Sequence, residues 1–215
     1  MAATKTKPRF SREDADVRRR QLIAAATRCL SKGGIAAFTI DRISREAGVS
    51  RGLINHHFRG IEDLLTSVYE TMTDGMHEAG RNLLFSTGDA EDRLAAVLDI
   101  MFTPPMFAKS NLRAWLALWG EIATNTRLKA AHRKSYDSYR TAMTAAISAI
   151  AAVRGAKVNA EAVATAAIAL IDGLWIEWCL DSSVVTRETA RAAVQDFLES
   201  RLGALQSSPR LRRSI

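Results

Sequence analysis

The chain contains little cysteine and little proline. Its two cysteines, Cys29 and Cys179, lie far apart and in no metal-like spacing, so neither a disulfide framework nor a zinc site is indicated. Four prolines, abundant alanine and a hydrophobic fraction of 47% suit helices and poorly fit a sandwich of short strands. We therefore expect an all-α fold in a reducing compartment, without a metal or other cofactor.

The sequence also lacks the apolar segments that direct a chain into or across a membrane. Residues 1–20 are polar and basic with no apolar core of signal-peptide length, and no stretch of about 18 apolar residues appears. These absences favour a cytoplasmic protein without a membrane partner.

Motifs of catalytic sites are lacking as well. There is neither a GxSxG nucleophile motif nor a glycine loop that would cradle phosphate. Among the histidines only His56 and His57 are adjacent, and adjacent helical residues point about 100° apart, which is unsuited to chelating one ion. The sequence gives an enzyme little support.

Charge is abundant but unevenly distributed. Residues 1–60 carry 13 Lys or Arg against 5 Asp or Glu, residues 61–206 carry 14 against 18, and residues 207–215 carry three Arg and no acid. A basic N-terminal segment suits a polyanionic partner such as nucleic acid. An RNA-binding protein, a membrane-surface protein or a solvated basic surface without a partner would share this feature.

Apolar periodicity divides the chain into four parts. Residues 1–12 form a flexible basic arm, 13–60 a small helical domain, 61–206 a larger helical domain and 207–215 a disordered basic tail. In the larger domain we expect a long helix beyond Gly60 and further helices at about 90–102, 110–124, 126–153, 159–181 and 186–205, with Ser110, Asn159 and Thr186 as caps.

Residues 39–58 (TIDRISREAGVSRGLINHHF) have the order of a helix-turn-helix. Thr39 can cap a short helix, Gly48 turns the chain out of it, and Ser50 can cap a second short helix. Two short helices joined this tightly cross at a steep angle. Their apolar residues can pack on the preceding helix, which leaves one face of the second helix exposed.

The exposed face of the second helix carries side chains that can read duplex DNA. Arg51 and Asn55 stand one turn apart, with Gly52 and His56 in the adjacent row. Arg can bond guanine edges bidentately and Asn adenine edges, while His and Arg also reach phosphates. A glycine such as Gly52 destabilises a helix interior by about 1 kcal/mol relative to alanine. Its presence is easier to understand if the backbone there must approach DNA closely. The alternative is a packed helical hairpin with a polar outer face.

From RRRQLIAAATRCLSKGG through TIDRISREAGVSRGLINHHFRGIEDLL the sequence resembles the DNA-binding domain of the TetR family, over about residues 17–68. The resemblance implies a dimeric regulator, usually a repressor, that leaves its operator when a small-molecule effector binds. It implies DNA contacts at matching positions, which are Thr39, Ser50, Arg51, Gly52, Asn55, His56 and His57.

Two positions depart from the family pattern. Relatives usually carry an aromatic residue where His57 stands and often a basic residue where Ile61 stands. His57 can still donate a hydrogen bond to phosphate, but Ile61 cannot, so Ile61 is left out of the predicted site.

All four tryptophans fall in the larger domain as two pairs at helical spacing. Indole rings with nearby acids can form a cage for a cationic ligand. Large aromatic side chains more often anchor cores and interfaces, and this alternative stays open. The candidate effector-binding residues are Trp115, Trp119, Glu121, Asp172, Trp175 and Trp178.

The stretches LRAWLALWGEI and ALIDGLWIEWCL resemble the corresponding region of BetI-like repressors. This resemblance makes choline or another quaternary amine a candidate effector, although a hydrophobic metabolite or drug remains the alternative. It also implies that the last two helices form a four-helix bundle with a two-fold mate. Small or unbranched residues that would allow this approach are Ala166, Ala167, Leu170, Gly173 and Leu174.

Overall fold

The computed structural model describes residues 12–84 and 89–203. Within these ranges the chain is helical almost throughout and contains no β-strand, which confirms the all-α expectation. The predicted arm and tail fall almost entirely on residues 1–11 and 204–215, outside the described residues. The helices are α1 (Arg12–Gly33), α2 (Ile40–Ala47), α3 (Arg51–His57), α4 (Ile61–Leu84), α5 (Ala90–Met101), α6 (Lys109–Ile122), α7 (Thr126–Arg154), α8 (Ala160–Leu180) and α9 (Arg187–Leu202), with a 3-10 turn at Ile35–Ala37.

Side-chain caps explain several helix starts. Thr39, Asn159 and Thr186 each accept a hydrogen bond from a backbone amide in the first turn of α2, α8 and α9, as the sequence predicts. Two predicted caps are wrong. Ser50 stands just before α3, but its side chain makes no capping hydrogen bond. At Ser110, α6 already begins at Lys109 and includes Ser110 in its first turn.

The first three helices enclose a small apolar core. Leu22 and Leu30 of α1, Ile43 of α2 and Ile54 of α3 are fully buried within it. Gly48 turns the chain between α2 and α3 with a φ of 66°, a left-handed conformation that strains residues with a side chain. The packing sends the polar side of α3 outward.

Two helices connect this small core with the larger bundle. α4 packs on α1 and also on α5 and α7, while α6 packs on α1 and also on α7 and α8. α7 packs on α8, and α8 on α9. The tryptophan-bearing helix α6 therefore touches both parts of the molecule.

α8 is the most apolar helix, and it contradicts the expectation that the chain has no apolar stretch long enough to span a membrane. Over 18 residues its mean hydropathy is 1.6, so by length and composition alone it could cross a membrane, whereas the sequence reading anticipated no such stretch. Core helices of soluble proteins pass the same test, and a third of this window is buried. Ile168, Ile171 and Trp175 are among its buried residues, so packing in the bundle accounts for part of its hydrophobicity.

Candidate functional sites

Most of the polar residues predicted on α3 are exposed. Arg51, Asn55 and His56 are exposed and His57 is half-buried, while Ile54 points into the core. Thr39 and Ser50, at the starts of α2 and α3, are also exposed. Six of the seven predicted residues are therefore open to solvent, and the seventh, His57, is half-buried.

Arg51 makes an ion pair that the sequence did not reveal. Its Nε and Nη2 atoms donate to the two carboxylate oxygens of Asp41 on α2, each at 2.8 Å. A guanidinium has five N–H donors in a fixed fork. The pair uses one side of the fork and leaves the edge formed by Nη1 and the outer hydrogen of Nη2 for another acceptor.

Gly52 has no packing partner that would require glycine. A Cβ built at this residue would meet only the Oγ of Ser50, at 3.9 Å, which is ordinary van der Waals contact. Residue 52 is also exposed. Its helix-destabilising effect of about 1 kcal/mol is therefore not explained inside the chain, which agrees with a close external surface.

His57 differs from its exposed neighbour His56. The two rings stand edge-to-face with centroids 5.3 Å apart. Burial, the charge of His56 and nearby Arg19 and Arg18 lower the pKa of His57 below its usual 6.5. His57 is therefore harder to protonate than a fully exposed histidine, and its ring N–H can still donate a hydrogen bond.

A second site lies in the larger bundle, where five helices contribute to a narrow aromatic cavity. Trp115, Trp119 and Trp175 line it together with Asp172, so four of the six predicted effector residues meet. The free volume of about 10 Å³ corresponds to a single water molecule. The lining residues are Met76, Met101, Trp115, Trp119, Tyr136, Tyr139, Ile171, Asp172 and Trp175, and we call this set the aromatic cage.

Two predicted residues do not line the aromatic cage. Trp178 instead stacks on Phe107, with ring centroids 4.3 Å apart, and Lys109 places its ammonium 5.7 Å from the indole centroid. Glu121 lies in the last turn of α6, where its backbone carbonyl accepts a hydrogen bond from the amide of Asn125. The predicted set of six is corrected to four.

The sequence interpretation missed two tyrosines of the aromatic cage. Tyr136 donates from its Oη to a carboxylate oxygen of Asp172 at 2.8 Å. The buried Oη of Tyr139 has no hydrogen-bond partner among the described residues. Both tyrosines lie on α7 three residues apart, the same spacing as Trp175 and Trp178, and this repetition was the available signal.

Asp172 supplies the negative charge of the aromatic cage. Burial raises its pKa to about 6, although the hydrogen bond from Tyr136 opposes this rise. At pH 7 the group is therefore largely a carboxylate in apolar surroundings. Three indoles and two phenols around one carboxylate can attract a cation through ring faces and charge together.

Two families match adjoining parts of the chain. Residues 22–68 match the family described as bacterial regulatory proteins, tetR family. Residues 90–203 match the family described as BetI-type transcriptional repressor, C-terminal. The first match includes the whole helix-turn-helix, and the second runs from the start of α5 to the end of α9.

Relatives and solved structures agree with these matches. The HTH-type transcriptional regulators BetI of Escherichia coli and of Vibrio vulnificus are each 30% identical to this chain, over 86% of it and 94% and 93% of their own lengths. A transcriptional regulator of Pseudomonas aeruginosa PAO1 has a TM-score of 0.79 at 31% identity, covering 90% of this chain and 94% of its own. A transcriptional regulator of Saccharomonospora viridis, solved in complex with choline, has a TM-score of 0.77 at 24% identity, covering 86% and 96%, and shows the shared fold.

Proposed function

Because the chain belongs to the TetR family of bacterial regulatory proteins, with a C-terminal domain of the BetI type, we propose that it is a homodimeric cytoplasmic repressor. It binds an operator through residues 13–60, and a small organic cation held in residues 61–206 releases it. The observation that carries the DNA-binding part is the exposed polar surface of α3. The aromatic cage carries the effector part.

The proposed DNA contacts divide into base readers and phosphate contacts. Arg51 and Asn55 stand one turn apart on the exposed side of α3, where bidentate bonds to guanine and adenine are possible. Thr39 and Ser50 at helix starts, with His56 and His57, face the phosphates instead. Gly52 lets the α3 backbone approach the duplex.

The proposed dimer uses the outer faces of α8 and α9. Ala166 and Ala169 are exposed along α8, and Leu170, Gly173 and Leu174 are half-buried beside them. Ala167, counted among the sequence candidates, is fully buried in the protomer and drops out of the interface. Two copies of α3 would then enter major grooves about 34 to 36 Å apart, one helical turn along the duplex.

The proposed effector is an organic cation such as choline. Quaternary ammonium groups bind the faces of indole and phenol rings, and the Asp172 carboxylate adds a counter-charge. The distant relative from Saccharomonospora viridis was solved in complex with choline, which supports testing this class first. A neutral metabolite would leave the buried carboxylate without a charged partner.

The effector test compares choline with its neutral carbon isostere, 3,3-dimethyl-1-butanol. We expect choline to quench indole fluorescence, raise the melting temperature and weaken binding to an operator obtained by genome-wide mapping. The isostere should do none of these. Trp119→Leu should weaken choline binding, whereas Trp178→Leu, which alters a half-buried indole outside the aromatic cage, should not. Equal effects of choline and its isostere would contradict a cationic effector.

The DNA test compares the mapped operator with a scrambled duplex. Arg51→Ala and Asn55→Ala should each cost about 1 to 3 kcal/mol on the operator and far less on the scramble. Thr39→Ala should weaken binding to both duplexes about equally. Equal losses on both duplexes for Arg51→Ala would contradict its role as a base reader.

A further inference from the structure

A second and much larger cavity adjoins the aromatic cage. It has a volume of about 530 Å³ and lies among α4, α5 and α7. Met76, Met101 and Tyr139 line both cavities, so these three side chains form the wall between them. We call the larger space the outer cavity.

The two cavities differ in the chemistry of their walls. The aromatic cage presents ring faces and the Asp172 carboxylate. The outer cavity is lined mainly by apolar side chains such as Val97, Ala142 and Met143. Its polar lining residues are His77 and the exposed Asp137, Ser138 and Thr141 of the α7 rim. The aromatic cage therefore suits a cation, and the outer cavity suits an uncharged apolar chain with its far end toward water.

The dividing wall is built from side chains that can move. Met76 and Met101 are unbranched thioethers, which repack readily. Tyr139 gives up no hydrogen bond among the described residues when it turns, because its Oη makes none there. The aromatic cage offers only about 10 Å³, so admitting even a trimethylammonium group requires this wall to shift toward the outer cavity.

We propose that the effector is an ammonium ion with an apolar chain, whose head group occupies the aromatic cage and whose chain extends past Met76, Met101 and Tyr139 into the outer cavity. This inference rests on the proposed cationic effector and narrows its class. A volume of about 530 Å³ falls within the usual range of about 300 to 1,000 Å³ for ligand pockets. The aromatic cage by itself falls far below that range.

The test is a series of n-alkyl trimethylammonium ions, from methyl to octyl, each below its critical micelle concentration. Titration calorimetry on the full-length dimer should show affinity rising about fourfold for each methylene that enters the outer cavity. Constant or falling affinity beyond tetramethylammonium would overturn the inference and leave the cationic effector intact. Failure of every ammonium ion to bind would overturn both.

Variants of α7 test whether the gain in affinity with chain length depends on the outer cavity. Ala142→Phe, which places a phenyl ring in the outer cavity, should reduce the gain with chain length while tetramethylammonium still binds. Ala149→Phe, at an exposed α7 residue lining neither cavity, should keep the gain. Ser138→Phe provides a second filling variant at an exposed residue, in case Ala142→Phe lowers the melting temperature. A retained gain in a folded filling variant would overturn the inference.

Discussion

Asp41 holds the guanidinium of Arg51 from the side. The carboxylate engages Nε and Nη2, each at 2.8 Å, and leaves the Nη1–Nη2 edge directed elsewhere. That remaining edge has the two parallel donors that bond O6 and N7 of guanine. Asp41 is therefore expected to act through Arg51, by fixing the plane in which the guanidinium meets a base.

Replacing Asp41 should separate specificity from affinity. Asp41→Ala should reduce the preference for guanine at the Arg51 base pair by about 1 kcal/mol or more. Binding to unrelated duplexes should become tighter, because a charge that repels phosphate is removed. Fluorescence anisotropy on operators carrying each base pair at that position measures both effects.

A double-mutant cycle provides the control for Asp41. If Asp41 acts only through Arg51, then Asp41→Ala combined with Arg51→Ala should show the same base preferences as Arg51→Ala alone. Additive losses of preference would show that Asp41 contacts the DNA or another reader independently.

The raised pKa of Asp172 should make the proposed cation binding depend on pH. A cation stabilises the carboxylate, so binding lowers a pKa that is about 6 in the free protein. Affinity should therefore fall as pH drops below about 6, by up to tenfold per unit, until the pKa of the complex is reached. Titration calorimetry from about pH 8 to about pH 5 measures this slope.

Two variants test whether Asp172 causes the pH dependence of cation affinity. Asp172→Asn should bind cations more weakly and with little pH dependence. His132 stacks on Tyr136 with centroids 4.1 Å apart, and burial lowers its pKa from 6.5 toward the same pH range. If Asp172 alone causes the slope, His132→Gln should keep it. A slope that survives in Asp172→Asn would contradict the assignment.

Individual residues were predictable where local pattern decides their position. Thr39 and Asn159 follow from capping chemistry, and Asn55 follows from helical spacing around the buried Ile54. The prediction that Trp178 belongs to the effector site was wrong. Sequence spacing gives the direction of a side chain around the helix axis, but not which side chain of another helix it meets. Trp178 lies almost a turn beyond Trp175, where Phe107 is adjacent.

Asp63, in the first turn of α4, joins three helical elements. It accepts from the backbone amide of Arg59, just after α3, at 3.1 Å, and pairs with Arg127 of α7 at 2.5 Å. The backbone hydrogen bond, with help from Arg127, lowers the pKa of Asp63. Periodicity identifies the buried face of each helix but not its partner, so this connection was invisible in the sequence.

Breaking the ion pair should weaken communication between the two parts of the protein. Arg127→Gln should leave operator binding and cation binding nearly unchanged, while the effect of the cation on operator binding becomes smaller. Arg127 is half-exposed, so the loss of coupling should stay below about 1 kcal/mol. Operator titrations with and without cation measure it.

A matched control is available on the same helix. Arg140 pairs with Asp137 three residues earlier, so that ion pair lies within α7 and joins no second element. Arg140→Gln should keep the full effect of the cation on the operator. An equal reduction in both variants would contradict a specific role for the Asp63–Arg127 pair.

At the scale of the whole molecule, basic charge is concentrated in the N-terminal part, and the most exposed large apolar side chains lie in the larger domain. The basic excess falls in residues 1–60, around the surface proposed to meet DNA. Exposed apolar residues include Leu180 and Val184 near the end of α8, close to the proposed dimer face. Composition predicted the basic N-terminal part. The exposed apolar residues could not be predicted, because their exposure depends on which side of α8 packs within the protomer.

A charge on the outer face of α8 should separate the protomers. Ala166→Glu places a carboxylate at an exposed helical residue, and it should yield monomers at micromolar concentration because an unpaired charge would be buried in the interface. Operator affinity should fall as well, since two half-sites would no longer be bound together. Light scattering after size exclusion measures the mass. Ala152→Glu, exposed on α7, should remain dimeric.

The narrowness of the aromatic cage should also limit the rate at which a ligand binds. A cation can enter only in the fraction of molecules whose methionine and tyrosine wall has opened, so the association rate should level off at high ligand concentration, at the rate of opening. The measured affinity is reduced by the same fraction. The wall would therefore limit both how fast the ligand enters and how tightly it is measured to bind.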